Sequence, residues 1–164
     1  IVRGKEIKPV EFGAKVNKFQ IDGISFIEHL SFDAFHEGNR LIDTIFKAQR
    51  LVKTKMKLVG ADAIYATNKN RKFLTANGIR TDFKRKGKAG KHEQQRRKLA
   101  GAITKERASR LEGSFGKDKE YYHLKRVRAR TKATEILWIF FGIHTGNALE
   151  IGRRISVARL QQAA

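Results

Sequence analysis

The stretch Leu58-Val59-Gly60-Ala61-Asp62-Ala63-Ile64-Tyr65 decides the reading of this chain. It is a short apolar run with small residues inside, which predicts a buried strand over 58–65. An acid within such a run costs free energy unless its charge is paired or bound to metal. Gly60, Ala61 and Ala63 leave room beside Asp62 for a ligand or another backbone. Thr67 then caps a helix predicted to run through Ala76 and end near Asn77-Gly78. A carboxylate at a strand end, before a helix, points into a cleft. Asp62 is therefore a candidate functional acid; capping the next helix or pairing with a lysine is the alternative.

Upstream, Phe12, Ala14 and Val16 alternate with polar residues, and Phe19 and Ile21 lead into Asp22-Gly23. Asp-Gly is a hairpin-turn signal, so 10–30 reads as two antiparallel strands. Leu41, Ile45, Ala48 and Val52 recur at helical spacing and predict a helix over 38–53. Downstream, 79–83 suits a short edge strand. Lys84 to Lys91 forms a basic, glycine-containing loop. A helix follows from about His92 past Leu111, and another spans about 131–160. Strand, strand, helix, strand, helix, strand, helix, helix is the order of one mixed α/β sheet covered by helices.

Composition narrows the partners. The 164 residues carry 36 Lys+Arg against 16 Asp+Glu, a formal net charge of +20. A compact domain so charged repels itself unless a polyanion neutralises it, which points to nucleic acid or an anionic membrane surface, and a pI near 10.6 favours nucleic acid. Without cysteine, thiolate nucleophiles and Cys-based zinc sites are excluded. The longest apolar run, Ile136 to Ile143, is far short of the roughly 20 residues that span a bilayer, so no membrane partner is expected. The expected location is the cytoplasm.

A second acid stands out in Arg107-Ala108-Ser109-Arg110-Leu111-Glu112-Gly113-Ser114-Phe115-Gly116. On a continuous helix Lys105 and Lys119, seven residues to either side, share the face of Glu112. Such a carboxylate can hold a metal while the lysines hold phosphates; a solvated charged stripe is the alternative. Glycine inside a helix costs about 1 kcal/mol, so Gly113 and Gly116 suggest close packing or close approach beside Glu112.

The two motifs together resemble those of DDE-type transposases of bacterial insertion sequences. Gly-Ala-Asp-Ala-Ile-Tyr resembles the strand with the second catalytic Asp. Arg-Leu-Glu-Gly-Ser-Phe-Gly, with Lys119 after six intervening residues, resembles the block with the catalytic Glu. Glu135 to Ala148 looks like the helix that follows, and Arg3 to Val16 like the hairpin before the second Asp. The sequence departs from the family pattern before the Glu: Lys105 stands where Tyr is expected and Ala108 where Arg is expected, with Arg107 one place off.

The resemblance implies an RNase H-like fold, a mixed sheet flanked by helices, with three metal-binding acids. Asp62 and Glu112 match two of them as catalytic and metal ligands. The strand with the first Asp is not in the sequence, and Asp22 and Asp33 fall in the wrong places to replace it. The chain begins Ile1-Val2-Arg3-Gly4 without an initiator Met. Residues 1–164 therefore read as an N-terminally truncated catalytic domain, missing its first strand and inactive alone.

The implied cofactor is Mg²⁺ or Mn²⁺, and the implied partners are transposon ends and target DNA. A homodimer is one assembly open to the full-length enzyme. Lys119 and Arg107 are the expected substrate contacts within the motif, and Lys84, Arg85, Lys86 and Lys88 those in the basic loop. Tyr121 and Tyr122 with their basic followers can stack on an unpaired base or seal the core. The five histidines show no metal-ligand spacing. A non-catalytic, basic nucleic-acid-binding module is the alternative function, and it needs neither acid.

Overall fold

The computed structural model describes residues 13–162; the expected start of the first strand, Val10 to Phe12, lies outside them. Strands β1 (Lys15–Ile21) and β2 (Ile24–Ser31) pair antiparallel. Asp22 and Gly23 both take positive φ, 45° and 79°, as a two-residue hairpin turn requires. Phe19 stacks on its cross-strand partner Phe26 at 5.2 Å.

The register slips between Asn17 and Lys18, whose partners are His29 and Ile27, so Glu28 is an extra, bulged residue. The bulge sends Glu28 inward, and its side chain is fully buried. Arg40 donates to its carboxylate at 2.6 and 3.0 Å, Lys47 at 2.9 Å and Asn17 at 2.9 Å. Burial opposes the charged form of Glu28, but these hydrogen bonds outweigh it and hold the carboxyl at about 2. The cluster fastens the hairpin to helix α1.

Helix α1 (Leu41–Val52) is preceded by a 3₁₀ turn over Glu37–Arg40, and it buries Leu41, Ile45 and Ala48 of the predicted stripe, while Val52 at its last position is exposed. Helix α2 (Asn68–Ala76) begins at Thr67, whose hydroxyl accepts from the Asn70 N–H at 3.2 Å. It ends at Asn77-Gly78, where Gly78 has φ 65°. Leu41, Ile45, Leu74, Ile79 and Phe83 form the core between these helices and the second sheet.

That second sheet is shorter than the sequence predicts. β3 covers only Leu58–Val59 and pairs parallel with β4 (Arg80–Thr81). Leu58 is half exposed, so the run over 58–65 is not a wholly buried strand. The backbone turns after Asp62: Ala63–Tyr65 is a 3₁₀ turn closed by a 3.0 Å bond from the Tyr65 N–H to the Asp62 carbonyl. The small residues serve a close approach instead. A Cβ on Gly60 would stand 2.7 Å from Ile103 Cγ2, so the glycine lets the next helix lie on the strand.

That helix, α3 (Glu93–Glu106), continues through a π-helical segment, Arg107–Glu112, into α4 (Gly113–Glu120). The last helix, α5 (Lys132–Gln162), packs on β2. Its buried Asn147 pairs with the Ser25 backbone, accepting from N–H at 2.8 Å and donating to C=O at 2.7 Å. Tyr122 seats on Gly146 and Leu124 on Gly142, so this part of the aromatic patch seals the core. Tyr121 is 75% exposed.

The architecture is mixed α/β, with two two-stranded sheets among the described residues rather than one. Between them runs a groove of about 490 Å³. Consecutive residues Val16 to Gly23 line one side and Leu58 to Asp62 the other. Lining by successive residues, whose side chains alternate between faces, means that strand edges face the groove. Leu41 and Ile45 of α1 and Leu99 and Ile103 of α3 also line it.

Candidate active site

Asp62 takes an extended backbone three residues past the end of β3, just before the 3₁₀ turn, with its side chain 68% exposed. Tyr65 anchors the turn that follows, its hydroxyl donating to Asn17 Oδ1 at 2.7 Å. Burial, together with the carboxylates of Glu37, Asp62 and Glu28, pushes that phenol above its ordinary range. Asn70, 1% exposed, holds the other side by donating to the Gly38 and Tyr65 carbonyls at 2.6 and 2.8 Å.

Glu112, also exposed, reaches the same place from the end of the π segment. Arg107 Nη1 donates both to Asp62 Oδ1 and to Glu112 Oε1, the latter at 3.4 Å. Bound to one nitrogen, the two oxygens lie within about 6 Å of each other. Forty-nine residues separate these acids in sequence, and the fold brings them together.

The π segment explains how. In an α-helix, residues five apart point about 140° away from each other. A π turn closes at i→i+5, so Arg107 and Glu112 face the same way. The same extra residue takes Lys105 out of the seven-residue relation that a uniform helix would give it. Lys119 sits in α4, exposed and without an ion pair among the described residues. Gly113 and Gly116 do not serve packing, since a Cβ at either would meet nothing within 4 Å.

A third acid approaches the same arginine. Asp82, directly after β4, has a side chain 4% exposed and lies 3.4 Å from Arg107 Nε. Its Oδ1 accepts from the Ala61 N–H at 3.2 Å, and Thr104 Oγ1 donates to Oδ2 at 3.4 Å. Periodicity could not single out Asp82, because its place depends on the pairing of β3 with β4. The only signal was an acid within the predicted edge strand over 79–83.

Hairpin and helix are joined next to the acids. Lys18, with its side chain 1% exposed, donates to Asp118 at 2.5 Å and to Ser114 at 2.8 Å, and lies 4.1 Å from the Phe115 ring centre. Burial pushes the Lys18 ammonium below its ordinary value against the pull of Asp118.

Among the described residues the basic loop makes no ion pair with the acids of this site. Lys84 to Gly90 are all exposed. Arg85 faces Glu93 at 3.5 Å, and Lys86 donates to Asn68 at 2.8 Å. Glu93 also takes Arg96 and Arg97 at 2.7 and 3.2 Å. Lys84 and Lys88 have no ion-pair partner among the described residues.

A sequence model of the family described as "Transposase DDE domain" matches residues 59–142, from the end of β3 into α5, just over half of the chain. The chain belongs to this family. The match encloses Asp62, Asp82, Arg107 and Glu112. No curated protein and no solved structure matches. Membership ties this DDE domain to transposition and hence to DNA. Among its described residues no helix is long and apolar enough to cross a membrane. DDE domains generally use divalent metals. The oxygen donors of Asp62 and Glu112 suit a hard cation such as Mg²⁺. Among the described residues no three His, Asp or Glu side chains form a cluster that could hold one.

Proposed function

We propose that this DDE domain is the catalytic core of an insertion-sequence transposase, with Asp62 and Glu112 as two of its metal-binding acids. The observation that carries the reading is their meeting at Arg107, from the segment that follows β3 and from the end of the π segment. Water attacks phosphorus at the element's end and displaces the 3′ oxygen, leaving a 3′-OH and a 5′-phosphate. That 3′-OH then attacks a phosphodiester of the target, expels the target's own 3′ oxygen as a 3′-OH, and joins the strands. Divalent cations, when bound, activate the attacking oxygen and stabilise the leaving one. The two carboxylates hold cations, while Lys119, Lys84 and Lys88 hold phosphates and so set the position of the DNA without reading its sequence.

The finer fold reading is an RNase H-like sheet in which an extended strand lies in the groove, pairing with β1 on one side and β3 on the other. Such a strand would end beside Asp62 and could supply a third acid there. By itself the 164-residue chain offers Asp62 and Glu112 where three metal-binding acids are needed, Asp82 being taken up by Ala61, Thr104 and Arg107, and it does not cut DNA. The setting is cytoplasmic, the cofactor Mg²⁺ or Mn²⁺, and the assembly that pairs two ends a homodimer of the full-length enzyme.

One observation favours a plain binding module: Arg107 already neutralises part of the acid pair's charge. Nicking of a labelled duplex carrying the element's end separates the two. A chain preceded by an Asp-bearing strand should nick in Mg²⁺, and Asp62→Asn or Glu112→Gln should abolish it. Nicking that survives both changes rejects the site, and an extended chain that binds DNA without nicking it leaves the binding module.

A further inference from the structure

We infer that Asp82 is a positioning residue that gives Arg107 a second resting place, so that the guanidinium can leave Asp62 and Glu112 when a divalent cation binds there. The inference rests on the proposed role of that acid pair.

The geometry of Arg107 is divided. Its Nη1 serves Asp62 and Glu112, while its Nε is buried and makes no hydrogen bond. The nearest acceptor is Asp82 Oδ2, at ion-pair distance but not aligned for a hydrogen bond. A buried donor left unpaired is costly, and a guanidinium set edge-on to a carboxylate satisfies two donors at once. A small rotation of Arg107 toward Asp82 therefore exchanges the bonds of Nη1 for a paired Nε. Neither position leaves the arginine without a carboxylate.

Asp82 is built to receive it. The Ala61 N–H and the Thr104 hydroxyl fix its carboxylate, and its side chain is 4% exposed. A carboxylate so buried needs a cation close by. Asp82 also touches the residue before Asp62 and the arginine five residues before Glu112, and so joins both acid-bearing segments. Three carboxylates surround a single guanidinium, leaving negative charge that a divalent cation can answer.

The test is a Mn²⁺ titration of the whole chain by electron paramagnetic resonance, with thermal midpoints measured in parallel. Arg107→Gln removes the competing cation and should tighten Mn²⁺ roughly tenfold, the size of one charge-assisted hydrogen bond. Asp82→Asn, which traps the arginine on the acid pair, should weaken Mn²⁺ several-fold. In the Arg107→Gln background the same change should have no effect, an interaction that a merely structural role would not produce.

The wild-type chain supplies a second readout should Asp82→Asn fail to fold. Adding Mg²⁺ should slow solvent exchange of the Arg107 Nε proton as it bonds to Asp82. An Nε proton that ignores Mg²⁺ while the Asp62 and Glu112 amides respond overturns the inference. So does Mn²⁺ affinity unchanged in Arg107→Gln yet abolished by Asp62→Asn. Wild-type Mn²⁺ binding that survives Asp62→Asn overturns the acid-pair reading, and the inference with it.

Discussion

Arg107 and Glu112 stand five residues apart and share one face, their side chains meeting at 3.4 Å across a π turn. The family pattern expects an arginine one place later, where Ala108 stands. An extra residue absorbed as a π bulge leaves the flanking helices in phase and sets Arg107 opposite the glutamate.

Deleting Ala108 should therefore convert the segment to α-helix and put Arg107 four residues before Glu112, still on its face. We expect a thermal midpoint within about 4 °C of the parent, equivalent to about 1 kcal/mol for a domain of this size. A melt without cooperativity would show that the π turn is required by the packing of α3 and α4.

The buried pair Lys18–Asp118 ties the hairpin to α4 just beyond Glu112. Removing one partner leaves a buried charge alone, so Lys18→Met or Asp118→Ala should each cost about 3–5 kcal/mol in urea unfolding. Lys18→Met with Asp118→Leu should recover most of that stability. Single variants as stable as the parent would mean that water reaches the pair.

Glu28 sets an acid limit. Its carboxyl, held at about 2 in the fold against an ordinary 4.5, binds a proton more readily in the unfolded chain. Its contribution to stability is whole above pH 4.5 and is lost as the pH falls toward 2. Glu28→Gln should remove up to about 1.4 kcal/mol per pH unit of slope across that window. An unchanged slope would assign acid sensitivity to other carboxylates.

The Asp22-Gly23 turn, the Thr67 cap, the α1 stripe and the Asn77-Gly78 stop could all be read from the sequence, because each depends on residues within a turn or two. Asp62 and Glu112 could be named, but not their separation, since β3 stops at Val59 and the π segment breaks the helical period. The places of Asp82 and Arg107 beside these acids depend on interactions spanning 21 to 45 residues, which no local pattern encodes.

Exposed Lys84 and Lys88 should carry the loop's share of DNA binding, as Arg85 and Lys86 already have partners. Replacing both lysines by Ala should lower the slope of log K against log salt by up to about 0.9 for each phosphate no longer neutralised. A slope equal to the parent's would place the backbone contacts elsewhere, with Lys119 and the segment after Tyr122 next in line.

The most direct test of the account is where a paramagnetic cation broadens the amide spectrum of the chain. Substoichiometric Mn²⁺ should bleach the amides of 61–63 and 111–113 together, at one concentration, because Asp62 and Glu112 form a single site. Broadening centred on one of these segments alone, or on Glu93 or Glu37 instead, would contradict that claim.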